Sequence, residues 1–163
     1  MPVSSQEFRH GMRHLAAGVC LITTGEAPER GGLIATAVMS LTAEPAQLVV
    51  AINETASAFP LILRNRRFAV HVLGQEHRAL ADVFTGRTGV NGDDRFRDVV
   101  WETLATGSPV LPGALVTFDC VLKGQMPVAT HSLLIGGVEA VSVAAEQSPL
   151  LYFDSAWAGL TPA

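Results

Sequence analysis

The residues of this chain able to do chemistry are five histidines, two cysteines and a scatter of hydroxyls and carboxylates. His10 and His14 stand four apart in "EFRHGMRH", with Glu7 three before His10. On a helix that spacing makes a metal-binding face. It also describes the wet side of an amphipathic helix opposite Phe8, Met12 and Leu15. The second reading is preferred, because no further ligand cluster is identifiable. Cys20 and Cys120 each sit in an apolar, strand-like run and read as buried thiols of a reducing cytoplasm. The segment "TGSPV" around Ser108 has neither the spacing nor the strand–turn–helix context of a nucleophile elbow. No phosphate loop of the G-x-x-x-x-G-K-[ST] type occurs either. With the self-sufficient chemistries unrepresented, a borrowed cofactor is the better expectation.

The stretch "GGLIATAVMSLTAEP", residues 31–45, is where such a cofactor would lie. Gly32, Ala35, Thr36, Ala37 and Ser40 leave the main chain accessible, so backbone amides can meet the polar edge of a flat ring. Asn53, Thr55 and Ser57 add hydroxyl and amide donors ahead of a predicted helix, where a phosphate finds N–H groups. Together these residues suit an isoalloxazine and its ribityl phosphate. The alternative is a barrel strand made of small residues for tight packing.

The elements that must hold these residues are set by periodicity and punctuation. Ser4 and Glu7 have capping-box spacing, and with Phe8, Met12 and Leu15 they predict a helix over 5–17, stopped by Gly18. Strands are predicted over 19–25, 33–42 and 46–53, the first two forming a hairpin around the loop 26–32, with Glu44-Pro45 ending the second. Ser57 as N-cap and Pro60 in the first turn predict a helix over 57–65. A strand over 67–74 precedes a helix over 75–86 with Leu80, Val83 and Phe84 on one face. A polar loop (87–96) and an irregular stretch (101–113) lead to strands over 114–129, 131–145 and 149–157. Strands in hairpin order without crossover helices predict a mainly β (α+β) domain over 1–163: a closed antiparallel, Greek-key-like β-barrel with a few flanking helices.

Composition narrows the partners. The chain is 48% hydrophobic and 16% charged, with mean hydropathy +0.33, so it buries a sizeable core and has apolar surface left over. No apolar run reaches the ~20 residues a spanning helix needs, which excludes a membrane and favours an oligomer. Net charge is −4 and the 11 basic residues include a single lysine, Lys123. The densest basic run, "RNRR" at 64–67, reads as a helix end, so nucleic acid is not expected. The opening "MPVSSQEFRHGM" lacks the apolar core of an export signal, which predicts a cytoplasmic location.

In the order "FRHGMRHLAAGVCLITT", "GGLIATAVMSLTAEPAQLVVAIN", "SAFPLILRNRRFAVHVLGQEHRALADVF", "DDRF", "GSPVLPGALVTFDCVL", "THSLLIGGVEAV" and "PLLYFDSAW", the chain resembles, nearly end to end, the short-chain flavin reductases. These are the reductase components of two-component flavin monooxygenases, built on an FMN-binding split barrel. The resemblance implies that Gly32, Leu33, Ile34, Ala35, Thr36, Ala37 and Ser40 lie along the flavin. Where the family often has Asn-Ser this chain has Thr36-Ala37, so Thr36 keeps a hydroxyl and Ala37 offers only its N–H. Ala51, Ile52, Asn53, Ser57 and Ala58 would line the ribityl phosphate or adenosine side. Phe84 matches an aromatic near the flavin, or is a core residue of its helix. The family's Gly-Asp-His triplet reads Ala129-Thr130-His131 here. His131 would meet the nicotinamide, or is a strand-edge histidine. Trp157 would cover the adenine or flavin face, or closes the barrel. Arg87 and Arg95 are candidate phosphate charges.

The resemblance implies a homodimeric NAD(P)H:flavin oxidoreductase with FMN or FAD as acceptor and NADH or NADPH as donor. Hydride passes directly between cofactors, with no catalytic side chain, and reduced flavin goes to an oxygenase. Rival readings are another flavoenzyme on the same fold that retains its flavin, and a non-catalytic flavin-binding or interaction module.

Overall fold

Short runs of Val, Ile, Leu and Thr between turn residues put most of the chain into antiparallel strands. The structure is a computed structural model that describes residues 2–144 and 147–161. In chain order the elements are α1 (Ser5–Met12), β1 (Ala17–Gly18), β2 (Cys20–Thr24), β3 (Gly31–Ala35), β4 (Val38–Ala43), β5 (Ala46–Asn53), α2 (Phe59–Asn65) and β6 (Arg67–Val72). There follow α3 (Arg78–Phe84), β7 (Glu102–Thr103), β8 (Pro109–Val110), β9 (Val116–Val128), β10 (His131–Val143), β11 (Leu151–Phe153) and β12 (Ala156–Ala158). Ala145, the expected end of the strand 131–145, lies outside the described residues.

Seven strands form one antiparallel sheet in the order β3–β2–β6–β9–β10–β5–β4. The expected closed barrel is not seen as a closed hydrogen-bonded ladder: β3 and β4 are the two edges of an open sheet. The chain itself joins those edges. The strand predicted over 33–42 breaks at Thr36–Ala37, and its halves pair with β2 and β5 on opposite sides of the sheet. The corner is tied down by the Ala51 N–H, which donates to the Ala37 carbonyl at 3.0 Å.

Both faces of the central strands are covered, so β2, "CLITT", is buried at every position, with the Thr23 and Thr24 hydroxyls donating to the Pro109 and Arg67 carbonyls. Cys20 and Ile22 join Val50, Phe68, Val70, Cys120 and Leu134 in one cluster, capped by Phe59 and Ile62 of α2. Val19 and Leu21 face the other way, with Leu73, Ala81, Phe84, Phe96 and Leu150. Burial pushes the thiols up, Cys20 to about 11 and Cys120 to about 12, the latter aided by Asp119 and Glu139. Both are buried, as the sequence reading expects. Gly136 is small because a Cβ there would stand 2.7 Å from Phe68 Cζ.

Three predicted elements differ at their ends. The first helix stops at Met12 and buries none of its residues, so nothing carries it to Ala17. Its capping box is complete: Ser4 Oγ accepts from the Glu7 N–H at 3.2 Å and Glu7 Oε2 accepts from the Ser4 N–H at 2.8 Å. The Ser4 hydroxyl, donating to Glu7 Oε2 at 2.7 Å, and then the Ser4 N–H hold the Glu7 carboxyl below its usual range. The second helix begins at Phe59, capped by Ala58 without a side-chain bond, so Ser57 is not its N-cap. The final strand is a hairpin, β11–β12, turned by Asp154 and Ser155 at positive φ and paired with β1. No described helix is long and apolar enough to cross a membrane.

Candidate functional site

An edge strand has main-chain N–H and C=O groups without a neighbouring strand to take them. Along β3 and the corner after it, such groups border a cleft of about 540 Å³. Gly32, Leu33, Ile34, Ala35, Thr36 and Ala37 line it from β3 and the corner, and Ala51, Ile52 and Asn53 line it from β5. Ser57, Phe84 and His131, also named by sequence reasoning, line it as well.

The smallness of the glycines has a cause beyond access. A Cβ on Gly32 would stand 2.5 Å from Phe84 Cε1, and one on Gly31 would meet Leu61 Cδ1 at 2.6 Å and Ala58 Cα at 3.3 Å. Both readings of the stretch therefore hold in different parts of it. Gly31 and Gly32 let α2 and α3 close on β3, whereas Thr36 and Ala37 are exposed at the cleft. Phe84 likewise serves twice. It is almost fully buried, edge-on to Phe96 at 5.1 Å and Trp101 at 6.2 Å, and still contributes to the cleft wall.

Cross-strand pairing brings the polar end of the site together. His131 opens β10 directly opposite Asn53, the last residue of β5. Asn53 Oδ1 accepts from the Thr55 N–H at 3.0 Å and the Thr55 hydroxyl at 2.9 Å, a local turn that leaves the amide NH₂ as a donor. His131 Nδ1 shares a hydrogen bond with the Thr130 hydroxyl at 2.9 Å, which leaves Nε2 as the nitrogen for a ligand.

Arg95 is the cation of the cleft. It sits on a 3-10 turn over Gly92–Phe96, its Nε donating to the Val90 carbonyl at 2.9 Å and Nη1 to the Gly32 carbonyl at 3.4 Å. The turn is anchored by Asp93, which accepts from Arg30 Nε at 2.7 Å and Nη2 at 2.8 Å. This fork holds the Asp93 carboxyl below its usual range and the Arg30 guanidinium above its own. Arg30 also lies over the Phe96 ring at 4.7 Å.

Four expected site residues and one candidate charge fall outside the cleft; Thr55, the first, spends its N–H and hydroxyl on the Asn53 side chain. Ser40, on β4 beyond the corner, borders a separate apolar groove of about 690 Å³. Ala58 is buried behind Gly31. Trp157 stands on β12, where its Nε1–H donates to Asp82 Oδ1 at 3.0 Å and its ring meets Tyr152. Arg87 lies over that Trp157 ring at 5.8 Å. Conversely, Ala56 and Thr85 line the cleft, and sequence reasoning misses them. Each adjoins an expected residue, Ser57 and Phe84, and neither type carries a signal of its own. His10 and His14 are edge-on at 5.3 Å, and no group of three or more metal-binding side chains occurs among the described residues.

The donor set fits a phosphorylated flavin. Main-chain groups of an edge strand match the alternating donors and acceptors of a ring edge, Leu33, Ile34 and Phe84 give apolar cover, and Arg95 with Ser57 suits an anionic tail.

Residues 12–161 match the model of the flavin reductase like domain, and the chain belongs to that family. A relative in Methylorubrum extorquens, the FMN reductase (NADH) RutF 1, is 40% identical over 154 residues, covering 94% of this chain and 76% of the relative. The FMN reductase (NADH) RutF of Stutzerimonas stutzeri is 39% identical over 160 residues, covering 98% of this chain and 91% of the relative. Among solved structures, the flavin reductase PheA2 in its native state superposes with a TM-score of 0.89, at 31% identity, over 98% of this chain and 100% of that one.

Proposed function

We propose that this chain is an NADH-dependent flavin reductase that reduces FMN in the β3–β5 cleft and releases it to an oxygenase component. The observation that carries the proposal is one cleft lined by the edge strand β3 with Thr36–Ala37, by the cross-strand pair Asn53 and His131, and by Arg95. Relatives about 40% identical named FMN reductase (NADH) support the donor and acceptor. The bound flavin supplies the redox chemistry, taking up a hydride from the nicotinamide and a proton from solvent as NADH becomes NAD⁺.

The chain's own residues bind and orient. The amides of 33–37 hold the ring edge, Asn53 NH₂ and Ser57 reach the ribityl side, and Arg95 takes the phosphate. His131 Nε2 meets the nicotinamide carboxamide, and Phe84, Leu33 and Ile34 keep water from the ring. No side chain has to act as acid or base on the hydride.

Two coarser features complete the reading. Joining β3 to β4 at the corner is what a split barrel requires. The apolar groove beside β4, lined in part by exposed Leu15, Met39 and Val141, suits a second copy of the chain. The test is NADH oxidation by the purified protein with and without FMN, alongside quenching of FMN fluorescence. FMN-dependent turnover supports the proposal; absence of both turnover and quenching overturns it.

A further inference from the structure

Resting on that reading of His131, we infer that Glu54 is its positioning residue, gripping the turn that carries it from both sides. The three residues 130–132 are each held differently. The Glu54 N–H donates to the Thr130 carbonyl at 3.1 Å. Glu54 Oε1 accepts from the Ser132 hydroxyl at 2.7 Å, and that hydroxyl accepts from Gln125 Nε2 at 3.1 Å. Ser132 is fully buried, so its hydroxyl cannot turn to water for a substitute.

The grip matters because of where the turn sits. β9 passes to β10 through only two residues, Ala129 and Thr130, and Ala129 is held at φ 53°, a region disfavoured for a residue with a Cβ. Asn53, the neighbour of Glu54, is the β5 residue opposite His131. A carboxylate on the β5 side, bonded to Ser132, together with the Glu54 N–H on Thr130, fixes the distance between the two polar groups at this end of the cleft. The Thr130 hydroxyl then sets the ring itself through Nδ1. Glu54 does not line the cleft, so it acts through His131 and not on the cofactors.

The experiment is steady-state kinetics with varied NADH, and FMN affinity by fluorescence, on E54A, E54Q, H131A and the E54A/H131A double variant. Glu54→Gln keeps an oxygen that accepts from Ser132. Expected are a rise of about tenfold in KM for NADH in E54A, unchanged FMN affinity, a value near wild type in E54Q, and no further rise when E54A is added to H131A. If E54A leaves KM unchanged while H131A raises it, the inference is overturned and the reading of His131 stands. Additive effects in the double variant also overturn it, because Glu54 then acts independently. If H131A changes nothing, the reading of His131 falls and this inference with it. Equal losses in FMN affinity and KM in E54A overturn it as well, since they mark general loosening of the sheet end.

Discussion

At the scale of single residues, the cleft separates groups that bind from groups that make room. Arg95 reaches it with two of its donors already turned on Val90 and Gly32, so its position is set before an anion arrives. Arg95→Ala removes a charge-assisted contact worth about 1.5–3 kcal/mol, and FMN affinity measured by fluorescence titration should fall roughly tenfold to a hundredfold. Gly32 makes room. Its Cβ would press on Phe84, which Phe96 and Trp101 hold from behind and which cannot retreat. Gly32→Ala should therefore cost about 1–3 kcal/mol in urea denaturation, as overpacking does. Most of these residues are legible in the sequence, because small residues, hydroxyls and a histidine in family order mark the walls. Trp157 is not, since an aromatic near the C-terminus gives no sign that Asp82 will engage its indole N–H.

At the scale of elements, propensity reads the strands well and their breaks poorly. The stretch 33–42 has strand character throughout, and nothing local distinguishes Thr36–Ala37 from its neighbours. The break there comes from a long-range fact: the two halves serve opposite edges of one sheet. The first helix shows the converse. Its capping box is legible and real, but periodicity overestimates its length, because a pattern does not tell whether a face finds anything to cover it. Ser4→Ala should fray α1, costing that helix about 1 kcal/mol. Amide exchange in residues 5–12 should accelerate while the global denaturation midpoint hardly moves, because α1 buries nothing.

At the scale of the whole molecule, packing on both sides of the sheet encloses His71. It is fully buried, its Nδ1 2.9 Å from the Leu21 carbonyl, and its Nε2 has no partner among the described residues. Burial drives its pKa down to about 4, with nearby His77 acting in the same direction. Above pH 6.5 the ring is neutral in both folded and unfolded chains and stability does not depend on it. As pH falls from 6.5 towards 4 the unfolded chain takes up a proton that the fold refuses. Stability should drop by up to about 1.4 kcal/mol per pH unit in that window. Urea midpoints across it should show this slope, and His71→Gln should flatten it. The sequence hides this residue, because "RFAVHVLG" reads as one strand whichever face carries the histidine.

The same enclosure has a chemical consequence for the proposed release of reduced flavin. In aerated water such flavin surrenders its electrons to dioxygen and leaves hydrogen peroxide beside its source. Peroxide attacks cysteine sulfur as the thiolate, and the two thiols, raised to about 11 and about 12, offer almost none at neutral pH. Burial thereby makes both cysteines poor targets for that by-product.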